Sequence, residues 1–181
     1  KHANVNAQDN QGRTALMAAV SNGDVAVVDA LLDAGAKIDA ADANGGVALT
    51  YAAAAGSAAA IEALHKRGAK PTANDLVLAA SSCAPAAVRA LLAAGVSPDA
   101  AAGGRTALLA AAGENCAEAV TLLLDRGADI NATDGDGWTP LIKATAGGFI
   151  EVVRVLLQRG ADMDVADKLD RTAWMYAATR G

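Results

Sequence analysis

The chain has 181 residues, of which 49 are Ala, 18 are Gly and only five are aromatic. So few bulky side chains exclude a single large core and favour thin layers of Ala, Leu and Val, and helix is the expected structure because Ala and Leu lead the helix propensities. The net charge of −5 argues against binding to nucleic acid or to anionic membranes, and no stretch is apolar and long enough to span a bilayer.

A short motif ending in Gly recurs along the whole chain. Its clearest copies occupy 31–36, 123–128 and 156–161, and weaker copies occupy 64–69 and 91–96. The matching glycines, which are Gly35, Gly68, Gly95, Gly127 and Gly160, are separated by 33, 27, 32 and 33 residues. A period of this size predicts a stack of similar supersecondary units.

Each unit is predicted to contain two short helices. In chain order, the first helices are expected to start at the N-caps Thr14, Thr106, Thr139 and Thr172 and to end at glycines such as Gly23, Gly56 and Gly148. A second apolar helix follows, as at 25–32, and polar turns such as 134–137 predict hairpin-like loops between helix pairs. Leucines that recur in phase are expected to be buried between units; they are Leu16, Leu31, Leu108, Leu123, Leu141 and Leu156.

The third unit departs from this pattern. Only eight residues lead from Gly68 to Leu76, against fourteen from Gly35 to Leu49, and Pro71 lies in the shortened segment. Because too little chain remains for a hairpin, we expect the helices of this unit to stack without a projecting loop. Its helices also carry Ala where neighbouring units carry Leu and Val, which predicts weak coupling to the units on either side.

The recurring Thr-(Pro/Ala)-Leu and Leu-Leu-x-x-Gly-Ala segments resemble the ankyrin repeat over essentially the whole chain. The resemblance implies an all-α solenoid of stacked helix pairs with projecting hairpin loops. The implied units are a partial unit 1–8, repeats 9–41, 42–73, 74–100, 101–133 and 134–166, and a partial unit 167–181. The His that usually follows Thr-Pro-Leu in the family is replaced by Met17, Thr50, Leu109, Ile142 and Met175.

The sequence contains few residues that could carry out catalysis. The chain has two His, His2 and His65, and two Cys, which leaves no convergent set of nucleophile, base and oxyanion donors. No metal-ligand spacing and no phosphate-binding glycine loop is present, and Asp134 and Asp136 are explained by a turn. We therefore expect no enzymatic activity, no metal and no cofactor.

The two cysteines are 33 residues apart and fall in the same helix-to-helix turn of consecutive units. Packed helices lie 8–10 Å apart, whereas a disulfide needs Cα atoms within about 7 Å, so a bond between Cys83 and Cys116 requires a local approach of the two turns. Two small residues at turns are the alternative. A bond would indicate a periplasmic or secreted protein, and otherwise the cytoplasm is preferred.

The resemblance implies a module that binds a protein partner through the concave face formed by the loops and the first helices. The residues just before each first helix are the proposed contacts, namely Arg13, Arg105, Trp138 and Arg171, with a polar surround of Ser82, Glu114, Arg180, Asp136 and Lys168. Arg and Trp are enriched at interface hot spots. The alternative is a structural spacer or regulatory segment of a larger protein, and a monomer is expected in either case.

Overall fold

The computed structural model describes residues 4–179, which form a stack of short helices. The helices are α1 (Ala15–Ser21), α2 (Val25–Asp33), α3 (Ala48–Ala54), α4 (Ala58–Lys66), α5 (Ala73–Ser81), α6 (Pro85–Ala93), α7 (Ala107–Gly113), α8 (Ala117–Asp125), α9 (Pro140–Gly147), α10 (Ile150–Gln158) and α11 (Ala173–Ala178), with strands β1 (Ala101–Ala102) and β2 (Arg105–Thr106) between α6 and α7. Within residues 4–179, no helix has the length and apolar character needed to cross a membrane.

Threonine hydroxyls open most of the first helices, as the sequence predicts. The side chains of Thr14, Thr106 and Thr139 each accept a hydrogen bond from the amide three residues later. Such a cap is worth about 1 kcal/mol because it satisfies a backbone N–H that has no partner within the helix. Thr172 precedes α11 in the same way, but its side chain makes no capping bond.

Left-handed residues end the first helices at the predicted glycines. Gly23, Gly56 and Gly148 have φ between 70° and 73°. Cys83 and Asn115 occupy the same place in the third and fourth units with φ of 50° and 59°. Asn tolerates this conformation but Cys disfavours it, so the third unit carries backbone strain that glycine and asparagine avoid elsewhere.

The helices form two rows. Each of α1, α3, α5, α7 and α9 packs against the next first helix, and each of α2, α4, α6 and α8 packs against the next second helix. Five of the six predicted leucines are at most 2% exposed, namely Leu16, Leu108, Leu123, Leu141 and Leu156. Leu31 is only half-buried, because α2 is at the end of its row and packs against a second helix on one side only within the described residues.

The third unit lacks a hairpin, as expected. Residues 67–72 alone connect α4 to α5, and α5 has nine residues where α1, α3 and α7 have seven. Thr72 and Asp75 form a reciprocal capping box at the start of α5. The lengthened helix thus takes up part of the chain that forms a loop in other units.

The fourth unit has a tighter loop than the others. Strands β1 and β2 pair in antiparallel fashion, with Ala102 opposite Arg105. Gly103 and Gly104 connect them with φ of 59° and 74°, the conformation of a two-residue type I′ turn. This turn is one residue shorter than the corresponding loops, which accounts for the spacing of 32 between Gly95 and Gly127.

Candidate protein-binding surface

An aspartate shapes each of four finger loops, the connections that precede the first helices. These residues are Asp9, Asp42, Asp134 and Asp167. One carboxylate oxygen of each accepts hydrogen bonds from the amides two and four residues later, at 2.8–3.0 Å. In each loop this short-range turn holds the residue four positions after the aspartate just before the helix. These residues are Arg13, Gly46, Trp138 and Arg171.

The first helix supplies a second partner for three of these aspartates. The Tyr51 hydroxyl donates to Asp42 and the Tyr176 hydroxyl donates to Asp167, both at 2.6 Å. Lys143 Nζ lies 2.6 Å from Asp134 in the fifth unit. Sequence reasoning missed all three donors, although each lies nine residues after its aspartate and that shared spacing could have revealed them.

These contacts keep the carboxylates ionised. Burial would raise the pKa of Asp167, but hydrogen bonds from Tyr176 and from the Arg171 and Leu169 amides hold it far below its ordinary value. Burial would also raise the pKa of Asp134. Bonds from Lys143 and from the loop amides outweigh this effect, so the pKa of Asp134 is lowered. The finger loops are therefore held by charged, fully engaged aspartates at neutral pH.

Aromatic rings and cations lie next to each other on the fifth and sixth units. The rings of Trp138 and Tyr176 have centroids 5.0 Å apart and a tilt of 59°. Lys143 Nζ lies 5.2 Å from the Trp138 centroid, and the Arg171 guanidinium carbon lies 4.8 Å from the Tyr176 centroid. Each contact is a cation–π interaction, so the predicted residues Trp138 and Arg171 belong to one connected patch.

Arg105 in the fourth unit is bound much more weakly. Ala102 occupies the place of the finger aspartate, and Ala110 occupies the place of Tyr51, Lys143 and Tyr176. Arg105 Nη2 reaches only the Ala110 carbonyl at 3.5 Å and Glu114 at 3.9 Å, and its buried Nε has no hydrogen-bond partner.

The other arginines at this position are well paired. Arg13 Nε donates to Asp9 at 2.8 Å, and Arg171 Nε donates to Asp167 at 3.1 Å. Arg13 lies three units away from Arg105, so the structure separates it from the patch around Trp138.

The predicted polar surround is only partly brought together. Asp136 and Lys168 are exposed on adjacent fingers, where the Lys168 amide donates to the Asp136 carbonyl at 3.1 Å. Glu114 lies beside Arg105, as described above. The Ser82 hydroxyl donates to the Ala54 carbonyl at 2.9 Å and so takes part in the contact between units. Arg180 lies outside the described residues.

The cysteine sulfurs lie at bonding distance in the structure. The Sγ atoms of Cys83 and Cys116 are 2.05 Å apart and their Cα atoms are 5.3 Å apart. The approach is closer than the helix spacing suggests, because Cys83 projects from its left-handed turn toward Cys116, the residue that precedes α8. The bond joins the third unit to the fourth.

The described residues place no group of three or more His, Cys, Asp or Glu side chains where they could hold a metal ion. His65 is exposed near the end of α4, with Nδ1 3.2 Å from the Ala69 carbonyl oxygen. His65 therefore lies apart from the patch around Trp138.

Comparisons with known proteins agree with this architecture. Ankyrin-repeat family profiles match residues 1–75, described as three copies, and residues 108–157, described as many copies. The human ASB11 ankyrin repeat domain has a TM-score of 0.92 and 27% identity over 99% of this chain and 83% of that one. The ankyrin repeat domain of Bcl-3, described as a unique member of the IkappaB protein family, has a TM-score of 0.83 and 29% identity over 98% of this chain and 83% of that one. No curated protein sequence matches the chain. The chain belongs to the ankyrin repeat family.

Proposed function

We propose that this chain binds a protein partner through the concave surface of its fourth to sixth units. Ankyrin repeat domains generally act as protein–protein interaction modules, and the fold is a non-catalytic scaffold. The observation that carries the proposal is the patch formed by Trp138, Tyr176, Lys143 and Arg171, which is half-buried and held by two charged aspartates.

Preorganisation favours this patch as a binding surface. Its aromatic and cationic side chains already have fixed neighbours in the free protein, so little side-chain entropy is lost when a partner binds. Trp and Arg also give large contact areas together with directional donors, which makes them frequent hot spots. Arg105 extends the patch onto the fourth unit.

Affinity measurements with matched variants test the proposal. A partner captured with the full chain is purified separately, and its Kd is measured for the parent protein and for Trp138→Ala and Arg171→Ala. We expect at least a tenfold loss for Trp138→Ala, which corresponds to about 1.4 kcal/mol. Trp174→Ala removes another exposed indole, and Arg89→Ala removes an exposed arginine from the second-helix row; both should bind within twofold of the parent.

Two results would contradict the proposal. If both concave variants bind within twofold while changes at Arg89, Glu118 or Arg154 weaken binding, the partner contacts the outer row of helices. If the purified chain binds none of the captured proteins, a structural spacer or regulatory segment of a larger protein is supported instead. Unchanged thermal midpoints for all variants are required before affinities are compared.

A further inference from the structure

A depression of about 460 Å³ lies between the fourth and fifth units, along the first helices α7 and α9. We call it the Arg105 pocket. It is lined by two cations, two aromatic rings and two glycines, which are Arg105, Lys143, Trp138, Phe149, Gly113 and Gly147.

One of the two glycines is required for this shape of the pocket. A Cβ atom at Gly147 would collide with the Phe149 ring, so only glycine lets this ring lie against the helix end. A Cβ atom at Gly113 would meet Arg105 Nη2 at 3.6 Å and Lys143 Cδ at 3.7 Å. Contacts of that length are ordinary, so the pocket requires glycine at Gly147 but not at Gly113.

The charges of the pocket are unequally matched. Lys143 is neutralised by Asp134 at 2.6 Å, and both side chains are less than 20% exposed. Arg105 has only Glu114 at 3.9 Å, and their side chains are 37% and 50% exposed. A planar guanidinium binds a carboxylate in a bidentate manner, and Arg105 uses neither edge in this way.

The same position in other units shows what Arg105 lacks. Arg13 and Arg171 each bind the aspartate of their own finger at 2.8–3.1 Å, whereas the residue opposite Arg105 is Ala102. A carboxylate from outside the chain can therefore pair with the Nη atoms of the Arg105 guanidinium, whereas the buried Nε is out of its reach. A single negative charge fits better than a phosphate dianion, because Glu114 and Asp134 already lie beside the two cations.

We propose that the Arg105 pocket binds an Asp or Glu side chain of a partner peptide segment, with an adjacent apolar side chain of that segment packed on Trp138 and Phe149. This inference rests on the proposed function, because it names the chemistry of the partner at the same surface. On binding, the peptide carboxylate replaces Glu114 as the neighbour of Arg105.

Selection of peptides supplies the probe. A displayed library of random dodecapeptides is selected on the immobilised chain, and the enriched peptides are synthesised for Kd measurement. We expect them to share an Asp or Glu next to an aromatic or aliphatic residue. Their affinity should fall as salt concentration rises, because a charge pair contributes to binding.

The decisive variant is Ala102→Asp, which places a carboxylate across the hairpin from Arg105 and so occupies the guanidinium from within. We expect it to weaken peptide binding at least tenfold while the thermal midpoint stays the same or rises. Ala86→Asp adds the same charge at an exposed site on α6 and should bind within twofold of the parent. Glu114→Gln removes the competing carboxylate and should tighten binding by twofold or more.

The outcomes separate this inference from the proposed function. If Ala102→Asp binds within twofold of the parent but Trp138→Ala weakens the same peptides tenfold, the concave surface is a binding site and the carboxylate pocket is wrong. If neither variant has an effect, both proposals are wrong. Selection of peptides without acidic residues, or of none at all, also overturns the inference.

Discussion

At the scale of single residues, one buried carboxylate organises a whole finger loop. The side chain of Asp167 is only 1% exposed, yet it stays charged because it accepts bonds from two loop amides, Arg171 and Tyr176. Removing a carboxylate from water is costly unless each oxygen gains such partners. The stability of this loop must therefore depend on pH.

Tyr176→Phe tests that dependence. Loss of the hydroxyl donor should raise the pKa of Asp167 toward its ordinary value and lower the free energy of unfolding at pH 7. A depressed carboxyl pKa stabilises the fold above the unfolded-state pKa of about 3.9, and this contribution is lost as pH falls below it. Because Asp167 has the same pKa in both unfolded chains, the stability difference between parent and variant should stay constant down to about pH 4 and shrink only at lower pH, where Asp167 is protonated in the folded variant before it is protonated in the folded parent. Urea unfolding experiments measure this difference.

An Asp167→Asn background provides the control for this prediction. There the effect of Tyr176→Phe should no longer vary with pH, because the titrating group is absent. A difference between parent and Tyr176→Phe that stays constant from pH 7 to pH 2 would show that the hydroxyl does not influence the charge of Asp167.

At the scale of elements, consecutive units come closest at the turn between first and second helices. The left-handed residue of one unit points at the residue that precedes the second helix of the next. A Cβ atom at Gly23 would lie 3.7 Å from Ser57 Oγ, and one at Gly56 would lie 2.7 Å from Ala84 Cβ. At the next boundary the same approach brings Cys83 to Cys116.

Two alanine substitutions measure this approach. Gly23→Ala meets only an ordinary contact, so its cost is the left-handed backbone strain of about 1–2 kcal/mol. Gly56→Ala adds a collision with Ala84 to the same strain and should lower the free energy of unfolding by clearly more. Equal losses in urea unfolding would show that the turns separate easily and that the approach is not enforced by packing.

The sequence predicts this architecture well but predicts its contacts poorly. The glycine period, the threonine caps and the shortened third unit follow from local backbone preferences, and all are present in the structure except the capping bond of Thr172. The pairing of Trp138 with Tyr176 depends on packing between units, which no local pattern encodes. The sequence leaves the bond between Cys83 and Cys116 open, because average helix spacing ignores which way a left-handed turn projects.

At the scale of the whole molecule, side chains link neighbouring units along the base of the fingers. Asn6, Asp99 and Asn131 each accept a hydrogen bond from a backbone amide of the next unit, at 2.7–2.9 Å. The equivalent residues of the first and second units are Asp39 and Thr72, and neither makes such a bond within residues 4–179. Thr72 is instead engaged with Asp75 in the cap of α5.

Besides the bond between Asp99 and the fourth unit, the third unit has a further link to each of its neighbours. The Ser82 hydroxyl binds the second unit through the Ala54 carbonyl, and the Cys83–Cys116 bond holds the fourth unit. Units in a linear stack stabilise each other only through their shared interfaces. The disulfide is therefore expected to determine whether the two halves of the chain unfold together.

The double variant Cys83→Gly/Cys116→Ser removes this bond with residues that the fold already accepts, because Gly23 and Ser57 occupy the same two places at the first boundary. Closing 33 residues by a disulfide contributes roughly 3–4 kcal/mol by the chain-entropy estimate, so the free energy of unfolding should fall by about that amount.

Both tryptophans, Trp138 and Trp174, lie in the C-terminal half, so their fluorescence follows that half while far-UV circular dichroism follows all helices. The urea midpoints from the two signals should coincide for the parent and should separate in the variant. As a control, the unfolded parent chain should show no thiol that reacts with a disulfide reagent. Amides between Leu76 and Leu92 should then exchange with solvent faster than those between Leu141 and Leu157. Coincident midpoints in the variant would show that helix packing alone couples the halves and that the bond has no such role.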